Sequence, residues 1–353
     1  MTRLATVLFT VAAFLGSAGC QTVAVTNTQS EIKNSSNIVE YMIAGSKDYV
    51  TLRDAILDKP NRGNHSRPQV KIELIYPDDY VAGKGRNYPL VVLIPSSQGI
   101  EEHDEIRTAH DFRKFGYATL IVYSYKSRNV GGDDAETGKS INSPTMALDA
   151  LIALKQMESI PAIDVSKTAL YGASKGSLAL EETMITALSE KHQLPTYKIL
   201  LSENSNFCID MSVLPLRRDV KLVVFTGGKD DSGTPSECVE RTEIYKARGY
   251  DIEHINYEEG AHRFIIDSTP SGTLLPRHAE GYGYSKCKWL LNNEGLIGYQ
   301  VKSTGVTTFP EDRKTLKETI GACLNDGIWY GGTPSQRRQF FNDAHNIMQN
   351  AFN

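Results

Sequence analysis

The chain is predicted to fold as an α/β domain with a mostly parallel central sheet and helices on both faces, and three observations carry the prediction. Short apolar runs alternate with longer amphipathic ones from Val70 to Tyr257. The run Leu90–Ile94 (LVVLI) is continuously apolar, the pattern of a strand buried on both faces. Hydrophobic residues make up 40% and charged residues 23% of the 353 residues, enough apolar material for a sizeable core.

Taken in order, Val70–Tyr76 (VKIELIY) alternates like a half-buried strand, and Leu90–Ile94 follows Pro89 as a central one. His103–Phe115 reads as a helix and Ala118–Tyr123 (ATLIVY) as the next strand. Ser143–Met157 is a helix, with Ser143 placed to cap it, Pro144 in its first turn and apolar residues three and four apart. Thr168–Tyr171 is a strand ending at Gly172, followed by a helix from Gly176 to His192. Tyr197–Leu201 and Leu222–Phe225 are strands, Pro235–Arg248 a helix, Ile252–Tyr257 a strand and Ser335–Phe352 a closing helix. The alternation breaks from about Thr269 to Thr333, a long excursion. Its aromatic residues Tyr282, Tyr284, Trp289, Trp329 and Tyr330 are expected to pack beneath the loop, with pocket lining as the alternative.

The first twenty residues are of another kind. Arg3 precedes an apolar run from Leu4 to Leu15, broken only by Thr6 and Thr10, and small residues lead to Cys20. Residues 1–19 therefore read as a secretory signal, and the run is too short for a comfortable membrane span. The small residues before Cys20 resemble the lipobox of bacterial lipoproteins, with Ser17 where that motif usually carries leucine. The resemblance implies cleavage before Cys20, acylation of its thiol and, with Gln21 next, an outer-membrane anchor facing the periplasm. An ordinary cleaved signal is the alternative. Residues 20–40 are polar and read as a tether, so the domain is expected over 41–353. Removing Cys20 from the five cysteines leaves an even number, as an oxidising compartment favours.

A net charge of −4 without a Lys/Arg block argues against nucleic acid as a partner. His103 lies in the acidic cluster Glu101–Glu105, but no H-E-x-x-H or C-x-x-C spacing accompanies it, so a solvated helix start is expected and no metal site. Gly131-Gly132 and Gly331-Gly332 read as turns.

The most informative segment is TALYGASKGSLALEE. Gly172-Ala173-Ser174-Lys175-Gly176 is a G-x-S-x-G element between an expected strand and an expected helix, the setting that lifts a serine hydroxyl clear of a sheet edge. A nucleophilic serine needs a base, and the base an orienting acid. Asp230 and Asp231 follow the strand LVVF, and His262 follows the next one. Order, spacing and topology suit a Ser, acid, His succession.

These residues, in YGASKGS, GGKDD…TP…C and GAHRF, together with LVVLIPSSQGI, resemble the dienelactone hydrolase-related branch of the α/β-hydrolase superfamily. The likeness covers roughly Val70 to the C-terminus. It implies an α/β-hydrolase fold and hydrolysis of esters or lactones with neither metal nor organic cofactor. It implies Ser174 as nucleophile, His262 as base and Asp230 as acid, since Asp230 stands at the family's G-x-x-D distance from Gly227, with Asp231 as fallback. The oxyanion donors implied are the backbone N–H groups of Lys175 and Ser97. Pro95-Ser96-Ser97-Gln98-Gly99 departs from the His-Gly of many relatives, and Pro95 offers no N–H. The remaining cysteines fit the likeness as Cys208 with Cys238 and Cys287 with Cys323, one of three possible pairings. Two alternatives stay open: an exopeptidase on the same triad, and a retired hydrolase that binds a ligand or partner at the envelope.

Overall fold

The apolar runs form the inner strands of a nine-stranded sheet. The computed structural model describes residues 32–33, 37–61, 66–85, 87–133, 140–205, 207–269, 272–276 and 283–353. The expected signal at 1–19, Cys20, most of the tether and Tyr282 lie outside the described residues. In chain order the sheet uses β1 (Ile32–Lys33), β2 (Ile38–Ala44), β3 (Gln69–Ile75), β4 (Tyr88–Leu93), β5 (Ala118–Val122), β6 (Ile163–Ala173), β7 (Ile199–Glu203), β8 (Lys221–Gly227) and β9 (Ile252–Tyr257). Across the sheet they run β1-β2-β3-β5-β4-β6-β7-β8-β9. The pairs β1–β2, β2–β3 and β3–β5 are antiparallel, and each neighbouring pair from β5–β4 to β8–β9 is parallel.

The helices are α1 (Leu52–Leu57), α2 (Arg107–Lys114), α3 (Ser143–Met157), α4 (Lys175–Glu182), α5 (Thr186–His192), α6 (Pro235–Ala247), α7 (Arg313–Thr319) and α8 (Pro334–Phe352); α2 to α6 and α8 fall in the expected alternation, whereas α1 and α7 add to it. Side chains alternate along a strand, so each central strand feeds two cores. Val91 and Leu93 join Phe112 of α2 and Phe340 of α8, whereas Leu90 and Val92 join Met146 of α3 and Ala179 of α4. That is why LVVLI has to be apolar throughout.

Several elements differ from expectation, each for a local reason. Strand β2 starts at Ile38, ahead of the expected boundary at Tyr41, because Ile38–Ala44 pairs along its length with β3. The expected helix Gly176–His192 is two, interrupted where Ile185 adopts extended backbone and bridges Leu216. The helix expected over His103–Phe115 opens with a π-helical turn, Glu102–Ile106, before α2. Glu102 and His103 are exposed there, as a solvated helix start requires, but Asp104 and Glu105 are 1% and 0% exposed, so that half of the acidic cluster faces inward. Ser143 is the first residue of α3 rather than its cap; Asn142 precedes it, and the Ser143 hydroxyl donates to Glu182 Oε1 at 2.8 Å.

The excursion has structure of its own. β10 (Thr273–Pro276) pairs with β14 (Gly327–Tyr330), and β11 (Cys287–Leu291), β12 (Ile297–Val301) and β13 (Thr307–Thr308) form a small antiparallel sheet. Trp289 is buried there, its ring 4.6 Å from that of Phe207 and 5.7 Å from that of Tyr299, so it packs beneath the excursion. Disulfides join Cys208 to Cys238 and Cys287 to Cys323, with Cα–Cα separations of 4.9 and 5.1 Å. The first ties the segment after β7 to α6. The second ties β11 to the segment before β14. No helix among the described residues is long and apolar enough to cross a membrane.

One buried carboxylate sets a pH dependence of stability. Glu182 is fully buried at the end of α4, its Oε2 has no hydrogen-bond partner among the described residues, and burial pushes its carboxyl up to about 8. The folded chain thus holds a proton that the unfolded chain releases near 4.5, and this contribution to stability is lost as pH rises through about 8. Glu182→Gln, which keeps the shape without the charge, is expected to flatten the fall of Tm between about pH 4.5 and 8. At pH 9 it should gain roughly 2–4 kcal/mol over wild type. Thermal melts across that range test it, and parallel curves for both proteins would refute it.

Candidate active site

The chain reverses direction across the sheet at β4, whose sequence neighbour β5 lies on one side and β6 on the other. Such a switch opens a crevice at the carboxyl ends of the strands. The segments leaving β4, β6, β8 and β9 carry Ser97, Ser174, Asp230 and His262 respectively.

Ser174 sits between β6 and α4 with φ 54° and ψ −118°, a left-handed backbone that costs a non-glycine residue energy. The flanking glycines permit it. A Cβ on Gly172 would lie 2.5 Å from the Gly176 carbonyl oxygen, and one on Gly176 would lie 2.7 Å from that of Pro95. The G-x-S-x-G spacing therefore follows from close backbone packing. The Ser174 N–H donates to Glu203 O at 3.0 Å, fixing the turn to the end of β7.

His262 Nε2 lies 3.2 Å from Ser174 Oγ, and its Nδ1 lies 3.0 Å from Asp230 Oδ2. All three side chains are buried. Burial opposes ionisation of Asp230, but the His262 ring and the Ser232 donors outweigh it and hold its carboxyl below the ordinary range. Ser232 donates to Asp230 Oδ1 through both its N–H (2.9 Å) and its hydroxyl (2.5 Å). Asp231 faces elsewhere. Its Oδ1 accepts the Trp329 N–H at 3.0 Å, and burial pushes its carboxyl up.

The excursion holds the histidine. The His262 N–H donates to Trp329 O at 2.9 Å, and its carbonyl accepts the Gly331 N–H at 2.8 Å, so β14 frames it from both sides. Gly331 and Gly332 are glycines for this approach: a Cβ on Gly332 would lie 1.7 Å from Phe264 O. Tyr330 is buried with its ring 6.1 Å from the imidazole, while Trp329, on the other face of β14, is 42% exposed.

Beneath these three side chains lies a charged layer that sequence patterns did not disclose. Arg263, next to His262 and with φ 56°, is buried between Asp104 and Glu203, its Nε 3.3 Å from Glu203 Oε2. The Tyr171 hydroxyl donates to the same Glu203 oxygen at 2.7 Å. Burial disfavours the guanidinium charge, but Asp104 and Glu203 hold its pKa above the ordinary range. Asn204 accepts the Arg263 N–H (3.0 Å) and donates to Asp230 Oδ2 (2.7 Å), joining the histidine loop to the acid.

Lys175 opens α4, so its N–H belongs to the first helical turn, where donors point out of the helix end beside Ser174. Its ammonium reaches Asp133 Oδ2 at 2.7 Å, Ser140 Oγ at 3.0 Å and the Tyr125 hydroxyl at 3.1 Å. After β4, the N–H of Ser96 donates to Glu105, that of Gln98 to Ser96 Oγ and that of Gly99 to Ser96 O. The Ser97 N–H donates to no group among the described residues, while Ser97 O accepts the Asp133 N–H at 2.6 Å. Among the described residues no three His, Cys, Asp or Glu side chains are grouped to hold a metal ion.

No protein-family model matches the chain, and no curated protein sequence matches it. Among solved structures it is similar to the chain named m3DLH, with a TM-score of 0.51 and 15% identity over 90% of this chain and 100% of that one. It is also similar to the dienelactone hydrolase-like promiscuous phosphotriesterase P91 from metagenomic libraries (TM-score 0.48, 13% identity, 90% and 100% coverage). A putative dienelactone hydrolase from Klebsiella pneumoniae subsp. pneumoniae is similar as well (TM-score 0.45, 16% identity, 66% and 90% coverage).

Proposed function

We propose that this chain, an α/β-hydrolase by fold, is a serine hydrolase that cleaves carboxylic esters or lactones through Ser174, His262 and Asp230. The observation that carries the reading is the continuous contact Ser174 Oγ, His262 Nε2, His262 Nδ1, Asp230 Oδ2 at 3.2 and 3.0 Å. His262 removes the Ser174 proton as Oγ attacks the carbonyl carbon, and Asp230 stabilises the imidazolium that forms. The backbone N–H groups of Lys175 and Ser97 receive the oxyanion. Collapse of the tetrahedral intermediate expels the alcohol, which takes the proton from His262, and leaves an acyl group on Ser174. Water, deprotonated by His262, then attacks the acyl carbon, and collapse of the second intermediate releases the acid as Ser174 Oγ takes the proton back from His262. The residues need no metal or organic cofactor for these steps.

The test is a panel of aryl and alkyl esters, lactones and aminoacyl-peptides offered to the purified mature protein, with fluorophosphonate labelling alongside. Ester or lactone turnover with labelling at Ser174 is expected. Turnover of peptides alone would move the assignment to an exopeptidase, and neither turnover nor labelling would leave a binding protein.

The same proposal places the enzyme outside the cytoplasm, cleaved after Gly19 and lipid-anchored through Cys20 at the outer membrane, facing the periplasm. The two disulfides support export, because such bridges persist in oxidising compartments. Palmitate incorporation should vanish in Cys20→Ser; incorporation that survives would refute the anchor.

A further inference from the structure

We propose that Glu105 is the positioning residue of the oxyanion hole, its carboxylate fastening both ends of the turn that presents the Ser97 N–H. This deepens the hydrolase reading and rests on it.

The turn after β4 begins with Pro95, which has no N–H, so its donors start at Ser96. Glu105 Oε1 accepts the Ser96 N–H at 3.0 Å, and Oε2 accepts the Glu101 N–H, also at 3.0 Å. One carboxylate thus spans the two ends of a six-residue segment, with Ser97 inside it. With the Ser96, Gln98 and Gly99 donors already engaged, Ser97 is left as the donor of the turn. Without the carboxylate the buried Ser96 N–H would be left without an acceptor beside the half-buried Ser97, and the turn would have to rotate to satisfy it.

Glu105 holds this place at a cost that ordinary packing would not require. It is 0% exposed, beside the equally buried Asp104, and burial together with Asp104 pushes its carboxyl up to about 8. The π-helical turn Glu102–Ile106 is what lets two consecutive carboxylates face inward. Asp104 goes to Arg263, the neighbour of His262, and Glu105 goes to the oxyanion turn. A single turn of backbone therefore fixes both the base and the acceptor of negative charge. A residue needed only for the core would be apolar here.

The test compares wild type with Glu105→Gln at pH 9, above the value of about 8 to which Glu105 is pushed, so that the wild-type group is a carboxylate. The amide offers one acceptor oxygen and turns an NH2 group toward the other N–H, so it cannot hold both ends. With an aryl ester that wild type hydrolyses, kcat is expected to fall about 100-fold, the cost of one weakened oxyanion donor, with KM changed by less than about threefold. Inhibition by an alkylboronic acid, which forms a charged tetrahedral adduct on the serine, should weaken by a similar factor. A merely structural residue would lower Tm or the active fraction without separating kcat from KM or weakening the boronic acid selectively. A folded Glu105→Gln protein with kcat within threefold of wild type overturns the proposal, as does a loss shared equally by KM. Should that variant fail to fold, Glu105→Asp, one methylene shorter with its charge kept, is read by the same criteria. Absence of hydrolysis and labelling in wild type would instead remove the hydrolase reading itself.

Discussion

Ser174→Ala is expected to lower kcat for ester hydrolysis by about a million-fold while leaving the fold and substrate binding in place. The size follows from what the residue does: without Oγ no acyl-enzyme forms, and the buried His262 and Asp230 have no proton to move. Residual acceleration should come from the oxyanion donors and binding alone, roughly 1,000-fold over water. The substitution is mild for the structure. Ser174 keeps its φ of 54° only because the contacts of Gly172 and Gly176 and the hydrogen bond from its N–H to Glu203 O enforce it, and none of these involves the hydroxyl. Circular dichroism and the melting temperature should therefore match wild type within a few degrees. Kinetics on the wild-type substrate, with fluorophosphonate labelling as a check on contaminating hydrolases, measure the loss. A drop below about tenfold in labelling-free protein would mean that another group is the nucleophile.

How far the molecule can be read from its residues depends on how local the cause is. The parallel strands were legible because burial on two faces demands continuous apolar runs. Ser174 was legible because two glycines at fixed spacing record a close backbone approach. The order of acid and histidine was legible because each follows a strand end. The charged layer was not. Asp104 and Arg263 meet across 159 positions, and a buried ion pair leaves no periodicity in either segment, so EEHDEIR resembles a solvated helix start. The clamp on His262 was hidden for the same reason, since its partner β14 comes some 67 residues later in the chain, at Trp329–Gly331. Asn204 carries no motif at all; only its side-chain hydrogen bonds to Asp230 and the Arg263 N–H disclose it. The break after α4 turns on a contact between Ile185 and Leu216 that helix propensity does not report. Patterning thus singled out Ser174, Asp230 and His262, which the fold brings together, and missed the groups that orient them.

Asp230→Asn is expected to lower kcat by about 10,000-fold, and Asp231→Asn by less than about threefold, a contrast that separates two adjacent carboxylates. The geometry makes the first substitution unusually severe. Asp230 Oδ1 accepts both the N–H and the hydroxyl of Ser232, so an asparagine must keep its carbonyl oxygen on that side. Its NH2 group then faces His262 Nδ1 and the Asn204 Nδ2 donor, where Oδ2 stood. A donor there forces the proton of the imidazole onto Nε2, so the base can no longer accept from Ser174 Oγ, and it sets two NH2 groups against each other. Asp231 by contrast uses Oδ1 as an acceptor for the Trp329 N–H, a role an amide oxygen fills equally well. Steady-state kinetics of both variants test the contrast, with the far-downfield proton signal of His262 Nδ1–H as an independent readout that should disappear in Asp230→Asn and survive in Asp231→Asn. Loss of activity in Asp231→Asn with Asp230→Asn near wild type would exchange the roles of the two residues, and would require the acid loop to pivot in solution so that Asp231 leaves β14.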